Sequence, residues 1–276
     1  MFEEAIIPLD QWVSVWVEWL VDNHRDFFQA LKWPVEHLLN GFEQGLNALH
    51  PGIILAVVCF LAWKFCGKRM TIFSLAAMVL VGMLGLWEDT MITLAMVLSS
   101  VIICTIFGVP LGILAGRSDT FETLLRPILD AMQTTPAFVY LVPIVMLFSV
   151  GNVAGVLATI IFALPPIIRL TSLGIRQVHP ELVEAAQAFG ANKWQVLIKV
   201  QIPLALPTIL AGLNQTIMMA LSMVVIAALI GAGGLGSPVI LGLNTLDIGR
   251  AVVGGLGIVL MAIVLDRITQ SMAQNK

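Results

Sequence analysis

Within residues 175–207, Glu184-Ala185-Ala186 is followed after three residues by Gly190 and after nine more by Val200-x-Ile202-Pro203. The chemistry these types offer is that of a contact surface. Ala185 and Ala186 let a helix approach closely, Glu184 offers a carboxylate to a donor, and Gly190 sets a bend between helices. Local signals predict two short helices here. Pro180 suits a first helical turn, Glu181 and Glu184 favour the positive end of a helix, and Gly190 suits a left-handed stop. Asn192 and Gln195 form a capping pair for the second helix, which Pro203 and Pro207 then interrupt before the next apolar run.

A second group is polar but enters or sits in apolar runs: Gln133, Thr134 and Thr135 lead into one, and Asn214, Gln215 and Ser222 lie on another. Such groups are costly against lipid, so they are candidates to line a pathway, the alternative being hydrogen bonds between helices. Asn214 and Ser222 are placed roughly on one face, with Gln215 off it. No carboxylate is expected mid-span, and Arg169, near the inner end of its run, is accounted for by snorkelling. Pro165-Pro166 should break or kink its helix, and a broken helix can line a pathway.

Other constellations carry less. Gly231-x-Gly233-x-x-Gly236 matches the dinucleotide fingerprint in form, but it ends an apolar run, and Asp247 comes too early for the acid expected ~20 residues on. These glycines are read instead as turning the chain into an external loop, 231–250. Gly67-Lys68 lacks the flanking residues of a phosphate loop. Gly108, Gly112 and Gly116 form a small-residue stripe for close helix packing. Cys59, Cys66 and Cys104 read as small hydrophobes, not as a disulfide frame or a metal site.

The elements that must position these residues are membrane helices. Of 276 residues, 59% are apolar and 11% charged, against about half and a quarter in a soluble domain. A mean hydropathy of +0.97 agrees. The balance excludes a cytosolic enzyme, and a net charge of −3 with no basic run excludes a nucleic-acid partner. The partner solvent is the lipid bilayer. Apolar runs near 52–66, 71–87, 91–116, 137–150, 152–174, 205–230 and 251–266 predict seven spans. With the N-terminus outside, Arg25, Lys32 and Arg250 are the only outer basic residues among the 14, which obeys the positive-inside rule and places the C-terminus in the cytoplasm. The tail, 1–50, opens with Glu3 and Glu4 and lacks a continuous apolar core, unlike a signal peptide. Trp12, Trp16 and Trp19, then Phe27 to Leu46, predict one or two amphipathic helices lying on the outer membrane surface or packing against the bundle.

The 184–203 pattern resembles the EAA motif of permease subunits of ATP-binding-cassette importers, with Val200 and Ile202 as conservative departures. Residues 126–148, 158–178, 214–236 and 265–269 resemble the branch that moves glycine betaine, proline betaine, carnitine or choline as osmoprotectants. The resemblance covers roughly 85–270. It implies an all-α polytopic bundle with a type I importer permease (MetI-like) core and extra N-terminal helices. The parts are then an extracytoplasmic tail (1–50), two accessory spans (51–88), the permease domain (89–270, coupling loop 175–207) and a cytoplasmic C-terminus (271–276). In that family Glu184, Ala185, Ala186, Gly190 and Pro203 belong to the segment that docks on the ATPase. Implied partners are two cytoplasmic ATPase subunits, a separate substrate-binding protein and a second permease copy, with Mg-ATP on the ATPase and no cofactor on this chain. A permease for another solute such as an amino acid keeps the fold, and an ion-driven carrier or channel is the rival of another class.

Overall fold

The computed structural model describes residues 9–274, with side chains over 11–272, as helices joined by short turns. Glu3 and Glu4 of the tail and Lys276 of the C-terminal segment lie outside the described residues. In order the helices are α1 (Leu9–Asn23), α2 (Arg25–Ala48), α3 (Pro51–Cys66), α4 (Lys68–Met83), α5 (Trp87–Arg117), α6 (Asp119–Thr134) and α7 (Ala137–Phe148). Then come α8 (Asn152–Arg176), α9 (Pro180–Ala188), α10 (Lys193–Val196), α11 (Ile202–Ala228), α12 (Gly236–Thr245) and α13 (Ile248–Gln274), with a π-turn at Leu197–Gln201.

Seven spans were expected; among the described residues four helices are fit by length and composition to cross a bilayer, Trp87–Arg117, Asn152–Arg176, Lys193–Ala228 and Ile248–Met272, or up to six spans where each bent pair counts as one. The runs at 52–66 and 137–150 are halves of bent pairs, α2–α3 at 105° and α6–α7 at 96°. The run at 71–87 corresponds to α4, 16 residues, or about 24 Å of helix. It forms a hairpin with α3 around Gly67, whose φ of +82° favours glycine. Apolarity reads as a run whether or not the chain turns within it, which is why the bends escape a hydropathy scan.

The core lies among α5, α8, α11 and α13, around Val97, Cys104, Ile167, Ile168, Leu221, Val224 and Leu235. The glycine stripe packs α5 on α8 as expected. A Cβ at Gly108 would stand 2.4 Å from Ile167 Cγ2, one at Gly112 2.7 Å from the Ile168 carbonyl, and one at Gly116 3.0 Å from the Ser172 carbonyl. This close seam also holds Pro165 and Pro166, buried inside an uninterrupted α8. The expected break is absent because packing on both sides overrides the two missing N–H bonds.

The tail forms α1 and α2. Val35 and Leu39 of α2 are buried against Ala95, Met96, Val156, Ala227 and Ala232, so α2 packs on the bundle. Trp12, Trp16, Trp19 and Trp33 remain exposed. Cys104 is buried in α5, and Cys59 and Cys66 are half-buried in α3.

Candidate functional site

The segment between α8 and α11 is built by local capping. Pro180 opens α9 with Glu181 in its first turn. The helix closes through paired bonds, Gly190 N–H to the Gln187 carbonyl at 2.9 Å and Ala191 N–H to that of Ala186 at 3.0 Å. That closure needs a left-handed residue, and Gly190 takes φ +82° with open space where a Cβ would be. Asn192 Oδ1 then accepts from the N–H groups of Trp194 (3.1 Å) and Gln195 (2.9 Å), and Gln195 Oε1 accepts from Asn192 N–H at 2.8 Å. α9 folds back on α10 and the π-turn.

Pro203 and Pro207 do not interrupt the second helix. Lys193–Ala228 is one helix of 36 residues. Within its π-turn the Ile202 N–H reaches back five residues to the Leu197 carbonyl. The widened turn makes room for Pro203, which falls in the first turn of α11.

No residue of α9 is buried. Glu184 and Ala185 are exposed and Ala186 is half-buried. Beside them stand two large apolar side chains, Phe189 at 93% exposure and Trp194 at 69%. The motif reading passed over both, although an aromatic abutting the glycine stop in a polar loop is a usable signal. The arrangement is a rigid knob with an apolar tip and a carboxylate on its flank, fit to enter a groove on another protein.

The six pathway candidates separate into three places. Gln133, Thr134 and Thr135 lie together at the bend between α6 and α7. Asn214 turns into the bundle, where its Nδ2 donates to Asp266 Oδ1 at 2.9 Å and its Oδ1 accepts from the Thr269 hydroxyl. Gln215 and Ser222 share the exposed face of α11 with Ala211 and Met218. The expected grouping is therefore corrected: seven residues bring Gln215 within about 20° of Ser222, while eight leave Asn214 about 80° away. Asn214 makes the inter-helix bond that was the alternative to pathway lining. Asp266 is a carboxylate inside α13 that hydropathy alone places at a span end, and its partner lies 52 positions away in sequence.

Arg169 forms an ion pair with Asp130 of α6 at 2.6 Å. Arg176 pairs with Asp119 at 2.6 Å and Glu122 at 2.7 Å, and Arg126 with Glu122 at 3.4 Å. Glu122, Arg126, Asp130, Arg169 and Arg176 border a crevice of about 340 Å³ between α6 and α8. Opposite charges thus strap α6 across the end of α8.

The glycines at 231–236 make a tight turn with φ of +76° at Gly231 and +86° at Gly234. Side chains from two other helices pin it. Asn152 Oδ1 accepts from Gly233 N–H at 2.6 Å, and Thr93 Oγ1 accepts from Leu235 N–H at 2.8 Å. A Cβ at Gly234 would stand 2.5 Å from that threonine oxygen. The turn is a structural joint leading into α12.

Comparison with known proteins bears on the whole chain. It is 52% identical over 274 residues to the glycine betaine/proline betaine transport system permease protein ProW of Escherichia coli (strain K12), covering 99% of this chain and 77% of that one. It is 46% identical over 271 residues to the glycine betaine transport system permease protein OpuAB of Bacillus subtilis (strain 168), covering 98% and 96%. A chain of the MetNI methionine ABC transporter, in an inward-facing conformation, superposes with a TM-score of 0.60 at 22% identity, over 66% of this chain and 92% of that chain. That likeness speaks for the fold alone. The two permease relatives are by name subunits of multi-part transport systems, which an ion-driven carrier or channel acting alone is not. Residues 108–275 match the model of the binding-protein-dependent transport system inner membrane component, and the chain belongs to that family of multi-pass inner-membrane permeases.

Proposed function

We propose that this chain is the membrane-spanning subunit of an ATP-driven importer of glycine betaine or a related quaternary ammonium solute. One observation carries the cargo assignment: 52% identity along 99% of the chain to a glycine betaine/proline betaine permease. Two copies pair around the passage, two cytoplasmic ATPase subunits bind and hydrolyse Mg-ATP, and a separate extracytoplasmic protein delivers the solute. The chain itself binds no cofactor. The N-terminus lies outside and the C-terminus in the cytoplasm, and the permease unit runs over 89–270 behind the tail and the two accessory helices.

In this reading Glu184, Ala185, Ala186 and Gly190, with the exposed Phe189 and Trp194, dock in the ATPase, and Pro203 starts the span they drive. Closure of the ATPase dimer pushes on α9 and α10, and the unbroken helix from Lys193 to Ala228 carries the push across the membrane. The permease supplies two conformations whose balance its partners shift. The exposed face with Gln215 and Ser222, and the elbow with Gln133, Thr134 and Thr135, line the passage between copies. Asn214 acts by holding α13 to α11.

Uptake of labelled glycine betaine by cells with and without this chain, at low and high external osmolarity, tests the proposal. Accumulation that needs both the chain and an ATPase subunit is the expected result. Equal accumulation without either one would refute it.

A further inference from the structure

The bend between α6 and α7 is closed by the one tyrosine in the sequence. Pro136 has no N–H, so the bond it would make to the Met132 carbonyl in a continuous helix is missing. A backbone carbonyl that loses its helical donor needs another partner. The Tyr140 hydroxyl stands 2.7 Å from the Met132 carbonyl oxygen and 3.2 Å from that of Ala131. The Ala131 oxygen is already taken by Thr135, through its N–H at 3.1 Å and its hydroxyl at 2.7 Å. The hydroxyl of Tyr140 therefore belongs to the oxygen that proline leaves unpaired.

Packing on α8 holds each helix, but no side-by-side contact between α6 and α7 braces the junction itself. α6 lies against α5 and α8, α7 lies against α8 and α2, and the two helices do not run along each other. The Tyr140 ring packs on the cluster of Leu141, Ala158 and Met223, so its hydroxyl is aimed from a fixed base. We infer that Tyr140 is a positioning residue for transport. By capping the Met132 carbonyl it holds the α6–α7 elbow and fixes where Gln133, Thr134 and Thr135 sit. This rests on the reading that those three line the passage.

Spin labels at Leu124→Cys on α6 and Val142→Cys on α7, both exposed, report the elbow in the assembled transporter once Cys59, Cys66 and Cys104 are replaced by Ala. Tyr140→Phe keeps the ring and removes the hydroxyl. It should broaden the label–label distance distribution and slow uptake about tenfold, with the half-saturating solute concentration unchanged. Pro136→Ala restores an N–H able to take the Met132 carbonyl, so Tyr140→Phe made in that background changes neither readout further. An unchanged distribution in Tyr140→Phe overturns the inference. So does a broadened distribution with full uptake, or an effect of equal size with and without Pro136. Failure of the cargo reading looks different: the unsubstituted transporter then takes up no betaine, and ATP hydrolysis by the assembly carries the rate comparison.

Discussion

Gly190 and Asn214 illustrate two ways a single residue is required here. At Gly190 the demand is conformational, since φ is +82° and nothing stands within 4 Å of where a Cβ would be. Gly190→Val should cost about 1–2 kcal/mol locally and uncouple transport, while Gly190→Asn, which tolerates the left-handed region, keeps most of it. Vesicle uptake at equal membrane abundance measures the difference, and equal loss in both variants would point to crowding instead. At Asn214 the demand is chemical. Asn214→Asp sets a second carboxylate against Asp266, and about 2 kcal/mol of stability should go with the lost donor. Adding Asp266→Asn should recover part of it, as read by thermal unfolding in detergent. The glycine stop and the Asn192–Gln195 cap were legible because each bond they make is closed within six residues. The Asn214–Asp266–Thr269 cluster was not, since its members meet only after two helices pack. The same holds for Arg169 and Asp130, 39 positions apart.

At the scale of elements, contact distance decides what the glycine stripe can bear. Gly112 faces backbone, with a Cβ position 2.7 Å from the Ile168 carbonyl and 2.5 Å from Thr171 Cβ, so neither side can yield cheaply. Gly112→Val should lower stability by about 1–3 kcal/mol or more. Gly45→Ala on α2, with nothing within 4 Å, should leave melting unchanged or slightly raised. A shallow effect at Gly112 would mean that α5 and α8 are less closely apposed than described. The stripe was readable from its spacing of four, because helical periodicity brings such residues to one side whatever the partner. The bends were not readable. Leu49-His50-Pro51 and Thr135-Pro136 look like interruptions, and the angles of 105° and 96° are set by contacts a hydropathy scan does not see: the packing of α2 on α5, and that of α6 and α7 on α8 together with the Tyr140 bond. Proline misled in the opposite sense in α8 and α11, where neighbours hold the helix together through residues that end helices in isolation.

For the whole molecule, the uneven distribution of Lys and Arg is the feature with the clearest consequence. A tag placed before Met1 should react only with reagents outside the cell, and labelling it from the cytoplasmic face would invert the topology proposed above. The π-turn at Leu197–Gln201 bears on the molecule in another way. It inserts an offset into a rod of 36 residues, about 54 Å long, that runs from Trp194 to the level of the glycine joint at 231–236. Dropping a single residue there would screw one half of the rod against the other by about 100°. Gln215 and Ser222 would then point away from their present azimuth while Trp194 kept its own. In the proposed reading, the widened turn is thus the phase setting between the drive end of the shaft and the side it presents to cargo.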